Sequence, residues 1–312
     1  MLPVKQAPKW CLLFCISEGL SNRMGQGVMQ MNCAWKSFVS LLPAKFKVKL
    51  EEGYADQLEE LRLRCGQAPE LVLHGSSVWL EEPTTSDDLG FVINAASRYS
   101  PWAASTIRRG YITASGGHRI GLCGEAVVQN GEMTGIRNPS SVNIRIARDF
   151  PGIAKSALRY KGSVLIIGRP GSGKSTLLRD LIRQRSDHGP GCVAVVDERG
   201  ELFPCIDQKS IFFPGRRTDI LSGCGKSQGI DCLLRTMGPR CIAVDEITAE
   251  EDCNAMLNAG WSGVHLLATA HAEDLSDLYD RPIYRPLVQS KIFDTVLILG
   301  EDKSWIAERM RT

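Results

Sequence analysis

The sequence contains no long hydrophobic run and no Cys-x-x-Cys pair. A helix that spans a bilayer needs about 20 consecutive apolar residues, and no stretch of this chain approaches that length. The 11 cysteines are odd in number, and some lie within apolar runs, where cysteine packs as a small hydrophobic side chain. We therefore expect a reduced, cytoplasmic protein, because nothing in the cysteine spacing supports a disulfide framework or a zinc site.

The chain also lacks an excess of charge of either sign. Its 37 basic and 35 acidic residues leave a net charge of +2, so no overall field favours nucleic acid. Two basic clusters, at 107–110 and 214–219, permit nucleic-acid binding, but basic and aromatic residues do not alternate. With 312 residues, 43% of them hydrophobic, the chain can form one large domain or two ordinary ones.

The first 33 residues differ in composition from the rest of the chain. The apolar run at 10–16 is at the lower end of the ~7–15 residues of a signal peptide, and no clear cleavage site follows it. Met24, Met29 and Met31 are alternative start positions. We expect residues 1–33 to be a poorly defined segment and assign no function to it.

The segment 34–148 is predicted to be an α+β domain. Near its start, Leu58, Leu61 and Leu63 form a partial apolar stripe that predicts a helix. Short strand-like stretches separated by glycines follow, and Asn130–Gly131 predicts a hairpin turn. These features predict an antiparallel sheet, which ends before a linker or short helix at 149–162.

The segment 163–312 has a different pattern. Four- or five-residue apolar runs alternate with longer helical stretches, as in a parallel sheet whose strands are buried on both faces. The runs lie at 164–167, 193–196, 241–244, 264–268 and 295–299. This pattern predicts an α/β domain with a mainly parallel sheet.

A phosphate-binding loop begins at Gly168. Gly168, Gly173, Lys174 and Ser175 match G-x-x-x-x-G-K-[ST], with a strand before the loop and an amphipathic helix after it. In such a loop the lysine reaches the β- and γ-phosphates, the serine hydroxyl binds Mg²⁺, and backbone amides surround the phosphates. The predicted nucleotide-binding residues are Gly168, Arg169, Pro170, Gly171, Ser172, Gly173, Lys174, Ser175 and Thr176.

Two of the apolar runs end in pairs of acids, Asp197–Glu198 and Asp245–Glu246. A carboxylate at such a strand end can hold the Mg²⁺ shell, and a second one can activate a water molecule as general base. We assign Asp245 to magnesium and Glu246 to the water. This pairing, together with the absence of an Asn-Lys-x-Asp motif, favours ATP over GTP. The alternative for both pairs is a solvated strand end.

The run that begins near His265 ends in polar residues. Thr269 and His271 are expected at the same sheet edge as the acids, where a polar group can sense the γ-phosphate. His265 lies at the other end of this strand, too far away to share a metal with His271 at ~3.3 Å per residue. The alternative for each histidine is a packed or surface side chain.

The order of these features resembles that of the secretion ATPases of type II and type IV systems and of pilus motors. The stretch 235–275 is similar to their run of Walker B, acidic helix, small-residue segment and histidine box. Glu246 stands at the position of the functional glutamate, and Asp245 replaces the usual glycine. Glu198 falls where the family has its Asp box, which makes it a further catalytic candidate. Arg235 matches a family arginine, without an assigned role.

A sporulation branch of that family, stage III sporulation protein AA, is a closer resemblance and extends from Leu58 to Leu299. The similar stretches are LEELRLRCGQAPEL, GYITASGGHRIGLCGEAVV, IRNPSSVNIRIAR, GRPGSGKSTLLRDLIR and VAVVDERGEL. This resemblance implies a RecA-like ATPase core that uses ATP and Mg²⁺ and forms a hexameric ring. It also implies docking on integral membrane proteins of a channel between mother cell and forespore, at the inner face of the mother-cell membrane.

The resemblance also gives two arginines of the first domain a role. Secretion ATPases bring arginines from that domain to the phosphates, and Arg119 and Arg145 lie in the similar stretches. An arginine there would stabilise charge on the transferred phosphoryl group, and His271 would complete the catalytic set. The alternative for both arginines is a strand surface.

Three functions remain open from the sequence. The first is a hexameric secretion-type ATPase that does work on a membrane partner, with no nucleic acid expected. The second is a P-loop ATPase that handles nucleic acid, and the third is a nucleotide-binding scaffold with little turnover.

Overall fold

The computed structural model describes residues 32–50, 54–73, 76–97, 110–206 and 208–310. The segment before residue 32, with its signal-like run, and most of the basic cluster at 107–110 lie outside the described residues. Within these ranges no helix has the length and apolar character that a membrane crossing requires.

The chain divides into two compact units. The unit that we call the N-terminal unit contains the described residues through Asp149 together with Pro204–Phe212. The other, the core unit, contains Phe150–Phe203 and the chain from Phe213 onward. A short segment from the second half of the sequence therefore belongs to the N-terminal unit.

The N-terminal unit is built on a six-stranded antiparallel sheet with the strand order β4-β3-β2-β7-β6-β5. Helices α1, α2 and α3 share one apolar core with this sheet. The elements are β1 (Asn32–Cys33), α1 (Trp35–Ser40), α2 (Ala44–Lys47), β2 (Leu58–Arg64), β3 (Glu70–Leu73), β4 (Ser76–Trp79), α3 (Ser86–Ser97), β5 (Tyr111–Thr113), β6 (Arg119–Gln129), β7 (Glu132–Arg145) and β8 (Arg148–Asp149). The expected α+β domain with an antiparallel sheet is confirmed.

The helix predicted at Leu58 is wrong, because this stretch is strand β2. Leu61 and Leu63 are two residues apart and are both fully buried, as on one face of a strand. A register shift between Leu58 and Glu60 brings Leu58 into the same core. Because of this register shift, the buried leucines of β2 are spaced by three and then two residues. This spacing resembles part of the apolar stripe of a helix.

The predicted turn at Asn130–Gly131 joins β6 to β7. Both residues have positive φ, 52° for Asn130 and 81° for Gly131, as a tight hairpin turn requires. This hairpin extends beyond β5 as a two-stranded ribbon, in which residues 124–129 of β6 have β7 as their one partner strand among the described residues.

The core unit has a seven-stranded sheet in the order β13-β10-β14-β15-β9-β16-β17. All neighbours are parallel except β16 and β17. Its elements are β9 (Val164–Ile167), α4 (Lys174–His188), β10 (Val193–Asp197), β13 (Thr218–Ser222), α5 (Lys226–Thr236), β14 (Cys241–Val244), α6 (Glu250–Trp261), β15 (His265–Ala270), α7 (Leu275–Asp280), α8 (Arg285–Gln289), β16 (Thr295–Leu299) and β17 (Trp305–Arg309). The hairpin β11 (Cys205–Ile206) and β12 (Lys209–Ser210) lies between β10 and β13 in the sequence.

The five apolar runs of the sequence all form central strands of this sheet. Every residue of β9, β10 and β14 is buried, so these strands are covered on both faces. The expected α/β unit with a mainly parallel sheet is therefore confirmed. The segment 149–162, expected as a linker or helix, includes a 3-10 helix at Lys155–Arg159.

Helix α4, which follows the phosphate loop, is buried on its polar side as well as its apolar side. Three of its arginines donate hydrogen bonds to backbone carbonyls of neighbouring loops. The bonds run from Arg179 to carbonyls 201 and 202, from Arg183 to carbonyl 213, and from Arg185 to carbonyls 160–162. Because buried carbonyls need donors, these arginines fix the helix that begins at the phosphate loop.

Candidate nucleotide-binding and catalytic site

The phosphate loop turns sharply between β9 and α4. Gly173 has a φ of 101°, which other residues rarely adopt, and it stands directly before the first residue of α4. A Cβ added to Gly168 would lie 2.7 Å from Ser172 Oγ and 3.0 Å from the carbonyl oxygen of Leu299. The tight turn of the loop therefore needs glycine at both positions.

Lys174 and Ser172 show that this loop suits a phosphate group. The ammonium of Lys174 is buried and donates to the carbonyls of Gly168 at 2.7 Å and Arg169 at 2.9 Å. Burial lowers the pKa of Lys174, while the carboxylates of Asp245 and Glu246 oppose this shift. Ser172 Oγ is buried without a hydrogen-bond partner in the described part of the chain. A buried ammonium and an orphaned hydroxyl both gain from phosphate oxygens.

Thr269 joins the acidic pair of β14 to the neighbouring strand β15. Its fully buried hydroxyl donates to Asp245 Oδ1 at 2.7 Å and accepts the backbone N–H of Glu246, also at 2.7 Å. Glu246 has a φ of 44°, a left-handed conformation that is unusual for a glutamate. The hydroxyl of Thr269 therefore holds both acids at the edge of the sheet.

His271 connects the phosphate loop to Glu246. Its Nδ1 lies 3.1 Å from Lys174 Nζ, and its Nε2 lies 3.0 Å from Glu246 Oε1. An ammonium can only donate, so Nδ1 accepts and Nε2 carries the proton that it donates to the carboxylate. The structure thus brings together three predicted residues, Lys174, His271 and Glu246, in one hydrogen-bonded chain.

The acids that follow β10 have different partners. Asp197 is buried and accepts backbone N–H bonds from residues 201, 202 and 203, so it caps the turn after the strand. Desolvation raises the pKa of Asp197 to about 6 despite these donors. Glu198 Oε2 accepts a hydrogen bond of 2.7 Å from Lys226 Nζ. The carboxylate of Glu198 is therefore paired with a side-chain ammonium, whereas that of Asp197 is bonded to the backbone of the turn.

A cleft lies between the two acid-bearing strand ends. It is bounded by Val196, Asp197, Glu198, Arg199, Glu201, Lys226, Asp245 and Glu246. The predicted magnesium ligands are Asp245 at this cleft and Ser175, half-buried in the first turn of α4. Hydroxyl and carboxylate oxygens are the ligands that Mg²⁺ prefers, so these residue types fit the ion.

The remaining predicted residues lie elsewhere. Arg119 in β6 and Arg145 in β7 are directly opposite each other in the sheet of the N-terminal unit. The Arg119 guanidinium lies 4.5 Å from the centre of the Tyr111 ring, and Arg145 is exposed. His265 begins β15 at the end away from His271, and Arg235 is exposed in the last turn of α5. That the arginines reach the phosphates stays a prediction.

Two sets of ion pairs near the site were not predicted, and they involve Lys226, Glu273 and Glu301. Lys226 contacts Glu198 although the two are 28 positions apart in the sequence, and neither lies in a recognised motif with the other. Arg169 of the phosphate loop forms ion pairs with Glu273 at 2.9 Å and Glu301 at 2.7 Å. These ion pairs depend on which strands are neighbours in the sheet, and the strand order is known only from the structure.

Comparisons with known proteins agree with this fold and with the family that the sequence resembles. A family model described as sporulation stage III, protein AA, matches residues 36–307. Stage III sporulation protein AA of Bacillus subtilis is 37% identical over 276 residues, which cover 84% of this chain and 90% of that protein. The predicted resemblance is thereby confirmed.

Solved structures extend the comparison to the fold. The ATPase DotB of Yersinia pseudotuberculosis, 16% identical, has a TM-score of 0.55 and covers 86% of this chain and 80% of its own. The pilus retraction motor PilT with bound ADP, 15% identical, has a TM-score of 0.52 and covers 77% of this chain and 74% of its own. The RecA-like α/β core with a preceding α+β unit is the fold that we expected.

Proposed function

Because the chain belongs to the family of sporulation stage III protein AA, we propose that it is a Mg²⁺-dependent ATPase that drives a membrane channel or secretion complex between mother cell and forespore. The observation that carries the proposal is the hydrogen-bonded chain from Lys174 through His271 to Glu246. It joins the group suited to bind phosphate to the group suited to accept a proton.

The first step of the proposed mechanism is nucleotide binding by the phosphate loop. Lys174, Ser172 and the loop amides would bind the phosphates, and Ser175 with Asp245 would hold Mg²⁺. When bound, the ion supplies a positive charge that offsets the negative charge of the reacting phosphoryl group. The ammonium of Lys174 is already held at the loop, because it donates hydrogen bonds to the carbonyls of Gly168 and Arg169.

The second step is proton transfer at Glu246. His271 Nε2–H donates to Glu246 Oε1, which leaves Oε2 to accept the proton of an attacking water molecule. The hydrogen bond from the Glu246 backbone N–H to Thr269 holds the backbone of Glu246 in its left-handed conformation. The carboxylate of Glu246 thereby stays at the edge of the sheet. Any change at Lys174 on binding would reach Glu246 through His271, which makes this chain a route for sensing nucleotide.

The proposed work is done on a membrane partner. The support is the family membership together with the fold shared with PilT, a pilus retraction motor, and DotB, an ATPase. We propose a hexameric ring at the inner face of the mother-cell membrane, with Arg119 and Arg145 completing the site. Mass measurement with and without ATP, and a pull-down from detergent-solubilised sporulating cells, test these points. A monomer in every condition that recovers no membrane protein would count against the ring.

The deciding experiment replaces Glu246 by Gln in the full chain. ATP turnover should fall at least about 100-fold, as expected for a lost general base, while binding of a fluorescent ATP analogue is retained. The matched control is Glu250→Gln, the same change at an exposed residue of the first turn of α6, which should keep the wild-type rate.

Two results would contradict the proposal. Negligible and equal turnover in wild type and Glu246→Gln, with nucleotide still bound, would make the protein a nucleotide-binding scaffold. Tight filter binding of single-stranded DNA or RNA that stimulates turnover would favour the nucleic-acid alternative.

A further inference from the structure

We infer that Lys226 is a positioning residue for hydrolysis, which holds the two acid-bearing strand ends at their places on either side of the cleft. This inference rests on the proposed function. Lys226 is the first residue of α5, and its ammonium contacts Glu198 Oε2 at 2.7 Å and Asp252 Oδ2 at 3.9 Å. One cation thus bridges a carboxylate after β10 and a carboxylate in α6.

The second of these carboxylates controls the turn that follows Glu246. Asp252 Oδ2 accepts the backbone N–H groups of Thr248 and Ala249, each at 3.3 Å. These amides lie two and three residues after Glu246. Lys226 therefore acts on the position of Glu246 indirectly, through Asp252 and the turn that Asp252 caps.

The place of Lys226 depends on close packing of α5 against β10. A Cβ added to Gly229 would lie 2.5 Å from Val196 Cγ1, so the helix approaches the strand more closely than any other residue allows. Lys226 and Gly229 are three positions apart and share a helix face. This close packing brings the Lys226 ammonium to the end of β10, where it contacts Glu198.

The environment of Lys226 distinguishes this role from that of an ordinary surface ion pair. Lys226 is 8% exposed, and lysine is rarely buried unless it is paired. Asp197, Glu201, Asp245 and Glu246 line the same cleft. Without the cation, Glu198 and Asp252 would meet this acidic surface uncompensated and would move apart.

The test compares Lys226→Gln, which removes the charge, with Lys226→Arg, which keeps it. Lys226→Gln should lower kcat about 10- to 100-fold, in the range caused by displaced catalytic groups, and leave KM for ATP nearly unchanged. Lys226→Arg should restore kcat to within about 5-fold of wild type, because an arginine offers the same charge. An unchanged kcat in Lys226→Gln, or a loss of kcat that Lys226→Arg does not restore, would overturn the inference.

A double-mutant cycle tests whether Lys226 acts through Glu198. In a Glu198→Gln background, Lys226→Gln should cost much less of kcat than it costs in the wild type, because the partner is already lost. Fully additive losses would mean that Lys226 acts independently of Glu198, and the bridge between the two strand ends would be wrong.

Hydrogen exchange separates this inference from the proposed function. Lys226→Gln, but not Lys226→Arg, should increase amide exchange at Thr248 and Ala249 at least about 10-fold, whether or not the chain hydrolyses ATP. If wild type and Glu246→Gln are equally inactive while this exchange pattern appears, the proposed function fails and the bridge by Lys226 stands. Equal exchange in all three proteins would refute the bridge itself.

Discussion

His118 is a buried titratable residue of the N-terminal unit. Its ring accepts the backbone N–H of Ala147 at Nδ1, so Nε2 carries the proton and lies 3.1 Å from the carbonyl of Ala34. Ser37 Oγ is 3.0 Å from the same Nε2. These contacts satisfy a neutral ring and offer no counter-charge to a protonated one.

Burial lowers the pKa of His118 from 6.5 to about 4. Because the folded pKa is below the unfolded one, the unfolded chain binds the proton more readily. The stability of the N-terminal unit is then full above pH 6.5 and decreases as the pH falls towards 4, by up to about 3 kcal/mol. Urea unfolding followed by circular dichroism at pH 7 and pH 5 measures this loss.

A His118→Gln variant provides the control, because glutamine has a donor and an acceptor but does not titrate. Its stability should decrease less than that of the wild type between pH 7 and pH 5. Identical pH dependence of the two proteins would show that His118 does not carry the effect.

At the residue scale, the sequence identifies some residues of the site and not the partners of others. Lys174, Glu246 and His271 were found because each stands at a fixed offset from a motif or at the end of an apolar run. Only the family resemblance singles out Glu198 from its neighbour Asp197. In the structure, Asp197 caps a turn and Glu198 pairs with Lys226. Which of two adjacent acids faces a backbone turn depends on the loop that follows, and that loop has no regular pattern.

At the scale of single elements, the ribbon of β6 and β7 contains a glycine that the packing requires. Gly124 lies at a register shift between the two strands. A Cβ there would lie 2.8 Å from the carbonyl oxygens of both Arg137 and Asn138, and these backbone atoms cannot move aside cheaply. Gly124→Ala should destabilise the N-terminal unit by about 1–3 kcal/mol.

Gly135, in the same ribbon, provides a matched control. A Cβ at Gly135 meets no atom within 4 Å, so Gly135→Ala should change stability by about 0.5 kcal/mol or less. Thermal unfolding of both variants measures the difference, and equal midpoints would mean that the ribbon relaxes around the added methyl group.

Elements were predictable wherever their burial was complete. The central strands of the core unit are covered on both faces, so their sequences are short uninterrupted apolar runs. Such runs are easily recognised in the sequence. The edge strands β13 and β17 were missed, because no residue in either of them is fully buried and their sequences mix polar and apolar side chains. Strand β2 was taken for a helix since its register shift altered the spacing of its leucines.

At the scale of the whole molecule, the proposed mechanism needs a residue from each unit. Arg145→Ala should lower kcat about 100-fold or more, as for other groups that stabilise transferred phosphoryl charge, with nucleotide affinity changed little. Arg137→Ala is the control, because Arg137 is an exposed arginine of the same strand that pairs with Glu125. Steady-state turnover and nucleotide binding compare the two variants, and equal rates would remove Arg145 from the site.

The hairpin at Pro204–Phe212 has a consequence for how this molecule can be divided by genetic recombination. The described chain crosses between its two units at three points: after Asp149, after Phe203 and after Phe212. A single exchange at residue 149 would therefore replace the first part of the N-terminal unit with that of another gene. The hairpin, which belongs to the same unit, would still come from the original gene. Because the N-terminal unit is encoded by two separate stretches of the gene, a viable chimera has to replace both of them at once.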